Sequence, residues 1–178
     1  MVKKSLLVLG LCIVALSCAF ADKASLVMQV SPFAHQNVAV SNGSFNSTCG
    51  YGFGVGFRYE AWKNVNLGVD VDISFYNYKE LTSDYEVISV RAVGGYTYHL
   101  NDKFFVLGEL GVGVEERSIG TDSKMNPGFG VKLAAGCEVS ESVKVTVGSA
   151  LDLAFHKTKA AKSTDFAVRP FVGFMATL

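Results

Sequence analysis

Charges of both signs stand at alternate positions inside otherwise apolar stretches of this chain. Arg58, Arg91, Lys132, Lys144 and Arg169 share this placement with Glu60, Asp70, Asp72, Glu109, Glu115, Glu138 and Asp152. Side chains on a strand point to opposite faces with period two, so such charges collect on one face. An enclosed charge is costly unless it is paired and hydrogen-bonded. The chemistry open to this set is therefore mutual neutralisation in a wet polar network, or a narrow polar path through it.

The residues that would support catalysis are few. Hydrolytic triads need a nucleophile, a base and an orienting acid that converge. The three histidines, His35, His99 and His156, show no convergence by spacing with a serine and an acid. No Cys/His spacing suggests zinc. Gly50, Gly52, Gly54 and Gly56 alternate within a strand-like segment and do not form a phosphate-cradling loop. The sequence thus predicts a protein that is not an enzyme, with no cofactor and no metal. A second polar cluster, His156, Lys157, Lys159 and Lys162, lies between two apolar segments. It suits contact with lipopolysaccharide phosphates or acidic host glycans, and it equally suits a solvated loop tip.

The elements that must position these residues are alternating segments. Val65 to Tyr76 shows the pattern best, with Val65, Leu67, Val69, Val71, Ile73 and Phe75 interleaved with Asn66, Gly68, Asp70, Asp72, Ser74 and Tyr76. Eight segments of this kind can be marked: 25–32, 50–61, 65–76, 87–100, 104–115, 128–139, 143–155 and 166–178. The charges lie on the parity opposite to the apolar residues. Glu86 and Glu116 have apolar-face parity and are predicted to sit at strand ends, in water. An apolar exterior around a polar interior is the pattern of a membrane-spanning β-barrel.

The connections alternate in length. Trp62-Lys63-Asn64, Asn101-Asp102-Lys103 and Ser140-Glu141-Ser142 read as tight polar turns. The connections at 33–49, 77–86, 116–127 and 156–165 are longer and read as loops. Outer-membrane barrels place short turns in the periplasm and long loops outside. Aromatic residues fall into two bands, Tyr59, Trp62, Tyr96, Tyr98, Phe104 and Phe174 near the turns, and Tyr51, Phe53, Phe75, Phe129, Phe155 and Phe166 near the loops. Rings favour the headgroup level, so two girdles are predicted.

In this pattern the chain resembles the small eight-stranded outer-membrane barrels, such as the transmembrane domain of outer membrane protein A, outer membrane proteins X and W, and the neisserial opacity proteins. The resemblance is one of alternation and topology across the whole chain after residue 21. It implies an all-β, eight-stranded, antiparallel up-and-down transmembrane barrel in the outer membrane of a diderm bacterium, delivered by the assembly machinery and surrounded by outer-membrane lipid. It implies a monomer with a structural, envelope or adhesin-like role played through its loops, with a host or extracellular ligand as the partner. The alternative it offers is a narrow channel for small or hydrophobic solutes, of the outer membrane protein W kind. The chain departs from the family at its end, where Phe174-Met175-Ala176-Thr177-Leu178 closes on leucine and not on an aromatic residue. A lipocalin-like soluble barrel would place charges outside and apolar residues inside, the reverse of what is seen.

Composition agrees with an exported protein. The 178 residues carry a formal net charge of zero, which offers no basic field for nucleic acid. Residues 1–21 read as a cleavable signal: Lys3 and Lys4 precede the apolar run from Leu6 to Leu16, and Ala19-Phe20-Ala21 supplies a small-x-small site. Lipoprotein processing at Cys18 is the alternative. The barrel would then occupy 22–178. Cys49 and Cys137 fall at opposite ends of the strand map, too far apart to bridge.

Overall fold

A computed structural model describes residues 24–40, 43–79, 85–119, 122–157 and 162–178, without the side chains of residues 119, 122, 123, 156, 157 and 162. The predicted export signal lies outside the described residues. The elements are β1 (Ala24–Ser31), β2 (His35–Val40), β3 (Gly43–Asn46), β4 (Cys49–Trp62), β5 (Val65–Asn77), β6 (Tyr85–His99), β7 (Phe104–Ile119), β8 (Asp122–Ser140), β9 (Val143–Lys157) and β10 (Lys162–Thr177). Every pairing is antiparallel, and β1, β4, β5, β6, β7, β8, β9 and β10 follow one another around the sheet. The register of β1 on β10, from Ser25 opposite Thr177 to Val30 opposite Val172, closes it into an eight-stranded barrel. Closure leaves no open sheet edge, the condition for a sheet to cross lipid.

The alternation places the two residue sets as their chemistry requires. Leu110, Leu133 and Val147 stand outside, 66%, 61% and 59% exposed on the bare protein, while Asp70, Arg91 and Arg169 are buried inside. Both aromatic bands face outward, with Trp62 and Tyr98 the most exposed rings at the turn end and Phe53 at the loop end. The tight turns are built from local hydrogen bonds. Asn101 Oδ1 accepts from the backbone N–H groups of Lys103 and Phe104 at 2.9 and 2.8 Å. Asn64 takes a left-handed conformation, φ 68°, which asparagine tolerates, and its N–H donates to Glu60 Oε1.

The loop end differs from the sequence expectation in a consistent way. The connection at 33–49 contains β2 and β3, a hairpin whose first strand pairs with the upper part of β10, from Val168 opposite His35 to Ser163 opposite Val40. β1 and β2 thus form one stave interrupted at Pro32, which has no N–H to give a ladder. Ala34 resumes the contact by donating its N–H to Gly50 O at 2.8 Å. Likewise β7 and β8 continue as a paired ribbon through the predicted loop at 116–127, up to Ile119 opposite Asp122. Glu116 therefore does not sit at a strand end in water. It is held mid-ribbon between Ile88 and Met125 and is 1% exposed.

Candidate functional site

Among the described residues, the barrel interior is where charged side chains concentrate. Its charges form a continuous chain along the lumen, and most links reach across it. Arg58 on β4 makes paired bonds to Glu109 on β7, at 2.5 and 2.8 Å, and to Asp70 on β5, at 2.6 and 3.0 Å. Lys132 on β8 binds the same Asp70 carboxylate and donates to Gln29 Oε1 at 3.1 Å. Gln29 in turn donates to Asp72. Arg169 on β10 lies 3.5 Å from Asp72, donates to Ser74 Oγ at 3.2 Å and pairs with Asp152 at 2.6 Å. Arg91 on β6 takes the other oxygen of Asp152 and lies 3.4 Å from Glu115. Glu115 passes the chain to Arg117 at 3.0 Å, and Arg117 to Asp165.

Above this network, at the loop end, the chain of bonds runs into a tyrosine cap. Gln36 on β2 donates to Asp165 at 3.0 Å and accepts from the Tyr78 hydroxyl at 2.8 Å. Burial, with the Asp165 carboxylate close by, pushes the Tyr78 hydroxyl up, so it stays a donor at neutral pH. Tyr76, Tyr78, Tyr85, Val87, Ala34 and Ala167 pack together there, and the Arg117 guanidinium lies 5.7 Å from the centre of the Tyr85 ring. Below the network Phe105, Leu107, Ala134, Ala150 and Phe171 form a second apolar layer. The lumen is thus filled by an apolar cap, an ionic middle and an apolar base.

The inner glycines of β4 are what let the ionic middle fit. Gly50, Gly52, Gly54 and Gly56 stand opposite Tyr76, Ser74, Asp72 and Asp70. A Cβ on Gly50 would meet the Tyr76 ring at 2.6 Å, and one on Gly54 would meet the Gln29 amide at 2.5 Å as well as the Asp72 carboxylate. At these levels the glycines leave no empty cleft, because neighbouring side chains occupy the space a Cβ would take.

The predicted interior residues Arg58, Asp70, Asp72, Arg91, Glu109, Lys132, Asp152 and Arg169 are all buried and mutually connected. Glu60 is not among them. It is exposed at the turn-end rim, because β4 is irregular between Glu60 and Trp62 and already leaving the barrel. Lys144 and Glu138 also stay at the rim, where they pair with each other at 2.6 Å. Sequence reasoning missed Gln36, Arg117 and Asp165, although Arg117 follows Glu115 and Asp165 precedes Arg169 on the inward parity. Of the lysine-rich cluster, only the backbones of His156, Lys157 and Lys162 are placed, and Lys159 lies outside the described residues. Cys49 and Cys137 are free thiols, the first opposite Asn77 at the loop end and the second opposite Phe104 at the turn end.

A filled, closed, antiparallel barrel with an apolar exterior and a charged interior defines a transmembrane barrel of the outer-membrane type. No known family of sequences and no curated protein matches the chain. Solved structures do. Neisserial surface protein A is similar over 87% of this chain and 97% of its own, with a TM-score of 0.61 at 16% identity. The outer membrane protein OprG from Pseudomonas aeruginosa is similar over 89% of this chain and 97% of its own, with a TM-score of 0.51 at 12% identity. The outer membrane protease OmpT from Escherichia coli is similar over 89% and 98%, with a TM-score of 0.52 at 10% identity. The chain has the fold these proteins share. One of them is a protease, so the fold does not choose the role.

Proposed function

We propose that this chain is a monomeric outer-membrane envelope protein, exported by a cleaved signal, that acts through its loop-end surface and neither catalyses nor transports. The observation that carries the reading is the filled lumen, with a cap, an ionic middle and a base in series. A barrel of eight strands leaves an interior about as wide as its side chains, and a hydrated ion would have to break a buried pair at a cost of about 3–5 kcal/mol. Interaction then falls to the loop end: the β2–β3 hairpin, the β7–β8 ribbon and the lysine-rich sequence that joins β9 to β10. The lysines suit phosphate or acidic glycan partners.

Planar-bilayer recording of the refolded protein tests this. The expected record is a closed baseline with rare small openings. A steady porin-like current whose ion selectivity changes in Asp70→Asn or Arg169→Gln would replace the reading with the narrow-channel alternative. The surface role is read from cells displaying the protein on an immobilised sulfated glycan. Adhesion should fall when Lys157, Lys159 and Lys162 are together replaced by Gln, and unchanged adhesion would remove the lysines from the role.

A further inference from the structure

The lumen is filled along the network but not at its turn end. There the walls enclose a cup of about 260 Å³ that opens at the short-turn mouth. Its floor is the Phe105 ring and the Arg58 guanidinium, and its walls carry Ser25, Asn66, Thr97 and Thr177 from four different strands. Nothing in the loop-end role accounts for it.

We propose that this cup binds a neutral, hydroxyl-rich ligand of about the size of a simple sugar. Size comes first. The space lies near the lower end of small-molecule sites, which run from about 300 Å³ upward. Charge comes second. Arg58 is already engaged by both Asp70 and Glu109, and Lys144 by Glu138, so both strong cations of the cup are held by the protein's own carboxylates, while Glu60 at the rim accepts, among the described residues, only the Asn64 N–H and His99 lies 3.8 Å from Glu138. An anionic ligand would have to compete with those carboxylates for Arg58 and Lys144, whereas a neutral one need not, and its hydroxyls can donate to Glu60 at the rim. Wall chemistry comes third. Side-chain amides and hydroxyls both donate and accept, as sugar hydroxyls do. Asn66 Nδ2 and Thr97 Oγ1 already bond to each other at 2.9 Å, which fixes the directions of their remaining bonding sites. The aromatic floor offers an apolar face for the C–H face of a ring. Lastly, the base above Phe105 closes the cup, so a ligand leaves by the mouth it entered. The cup is a site for binding and offers no route onward.

Met175 lines the cup, whereas Met28 and Met125 stand 48% and 50% exposed elsewhere. This gives an internal control. With methyl-labelled methionine in nanodisc-embedded protein, titration with glucose, N-acetylglucosamine or cellobiose should move the Met175 methyl signal saturably and leave Met28 and Met125 still. Ser25→Phe, which fills the cup, should abolish the shift. Asn66→Leu should weaken it by about tenfold, the loss for roughly one wall hydrogen bond. If Ser25→Phe does not refold, Asn66→Leu decides alone. The proposal is overturned if no sugar produces a saturable Met175 shift, if all three methyls move together, or if sulfate or acetate moves Met175 more than the sugars do.

Discussion

Arg58 and Glu109 are 51 positions apart in sequence, on strands separated by two others, yet they share two parallel hydrogen bonds of 2.5 and 2.8 Å across the lumen. The pair ties β4 to β7 through the interior, at a level where those strands have no backbone contact. Removing Arg58 would strand Glu109 and one side of Asp70 in a closed space. Arg58→Ala is therefore expected to cost about 3–5 kcal/mol in urea titrations of the vesicle-embedded barrel. Arg58→Met with Glu109→Gln, which removes both charges, should recover part of that loss. A single variant as stable as the parent would show that water, not Arg58, satisfies Glu109.

The glycine row supplies a second test by contrast. Gly54 faces inward against Asp72 and Gln29, while Gly94 faces outward, where a Cβ would meet only Leu67 Cδ2, at 3.5 Å. Gly54→Val should destabilise by about 1–3 kcal/mol or block refolding. Gly94→Val should be tolerated, since valine suits a strand and the space is open. Equal tolerance at both sites, read from refolding yield in vesicles, would mean that the interior is slack.

These residues also mark where the sequence is legible. Asp70, Asp72, Arg91 and Asp152 are flanked by valine, leucine, isoleucine or alanine because lipid forces the outward parity to be apolar, so the inward set stands out by contrast. Arg117 is flanked by Glu116 and Ser118, and Asp165 by Thr164 and Phe166. Toward and beyond the headgroups nothing enforces that contrast, and the backbone ladder continues without an apolar signature. The same holds for β2 and β3, whose Gln36-Asn37 and Gly43-Ser44 segments read as turn chemistry. The cup was not legible at all, because it depends on where Phe105 ends and on what lies across the barrel from it, and neither is a property of local sequence.

Tyr78 tests how the hairpin is held. It lies just past β5, is 7% exposed, and donates to Gln36 on β2 at 2.8 Å. Tyr78→Phe removes one donor and leaves a buried acceptor, a loss of about 1–3 kcal/mol. The loss should appear as faster amide exchange in β2 and β3, with β5 to β9 unchanged. Uniform acceleration across the barrel would assign Tyr78 to global stability and not to the hairpin.

The outward face gives a depth-dependent prediction. Leu133 and Val147 are exposed to whatever surrounds the barrel, and arginine at a bilayer midplane costs about 2–4 kcal/mol. Leu133→Arg and Val147→Arg should each show that loss in vesicle refolding titrations. Val71 shares the outward parity but is 4% exposed, packed among Phe57, Leu26, Val55 and Val90 on the outer surface. Val71→Arg should cost at least as much, since it breaks that packing as well. Stability like the parent's in all three would place this face away from lipid.

The direction of insertion follows from the asymmetry of the two ends. Between β4 and β5, β6 and β7, and β8 and β9 the turns are short and polar, and the β2–β3 hairpin and the β7–β8 ribbon project from the opposite end. Outer-membrane barrels keep short turns on the periplasmic side and longer loops outside, so the hairpin and the ribbon are expected at the cell surface. With Cys49, which is exposed at the loop end, first replaced by Ser, cysteine at Ser44 should react with a membrane-impermeant maleimide on intact cells. Cysteine at Glu141 should react only after the outer membrane is opened. Labelling of the Glu141 position alone on intact cells would turn the barrel over, place the cup at the cell surface, and make the sugar-sized site the outward-facing one.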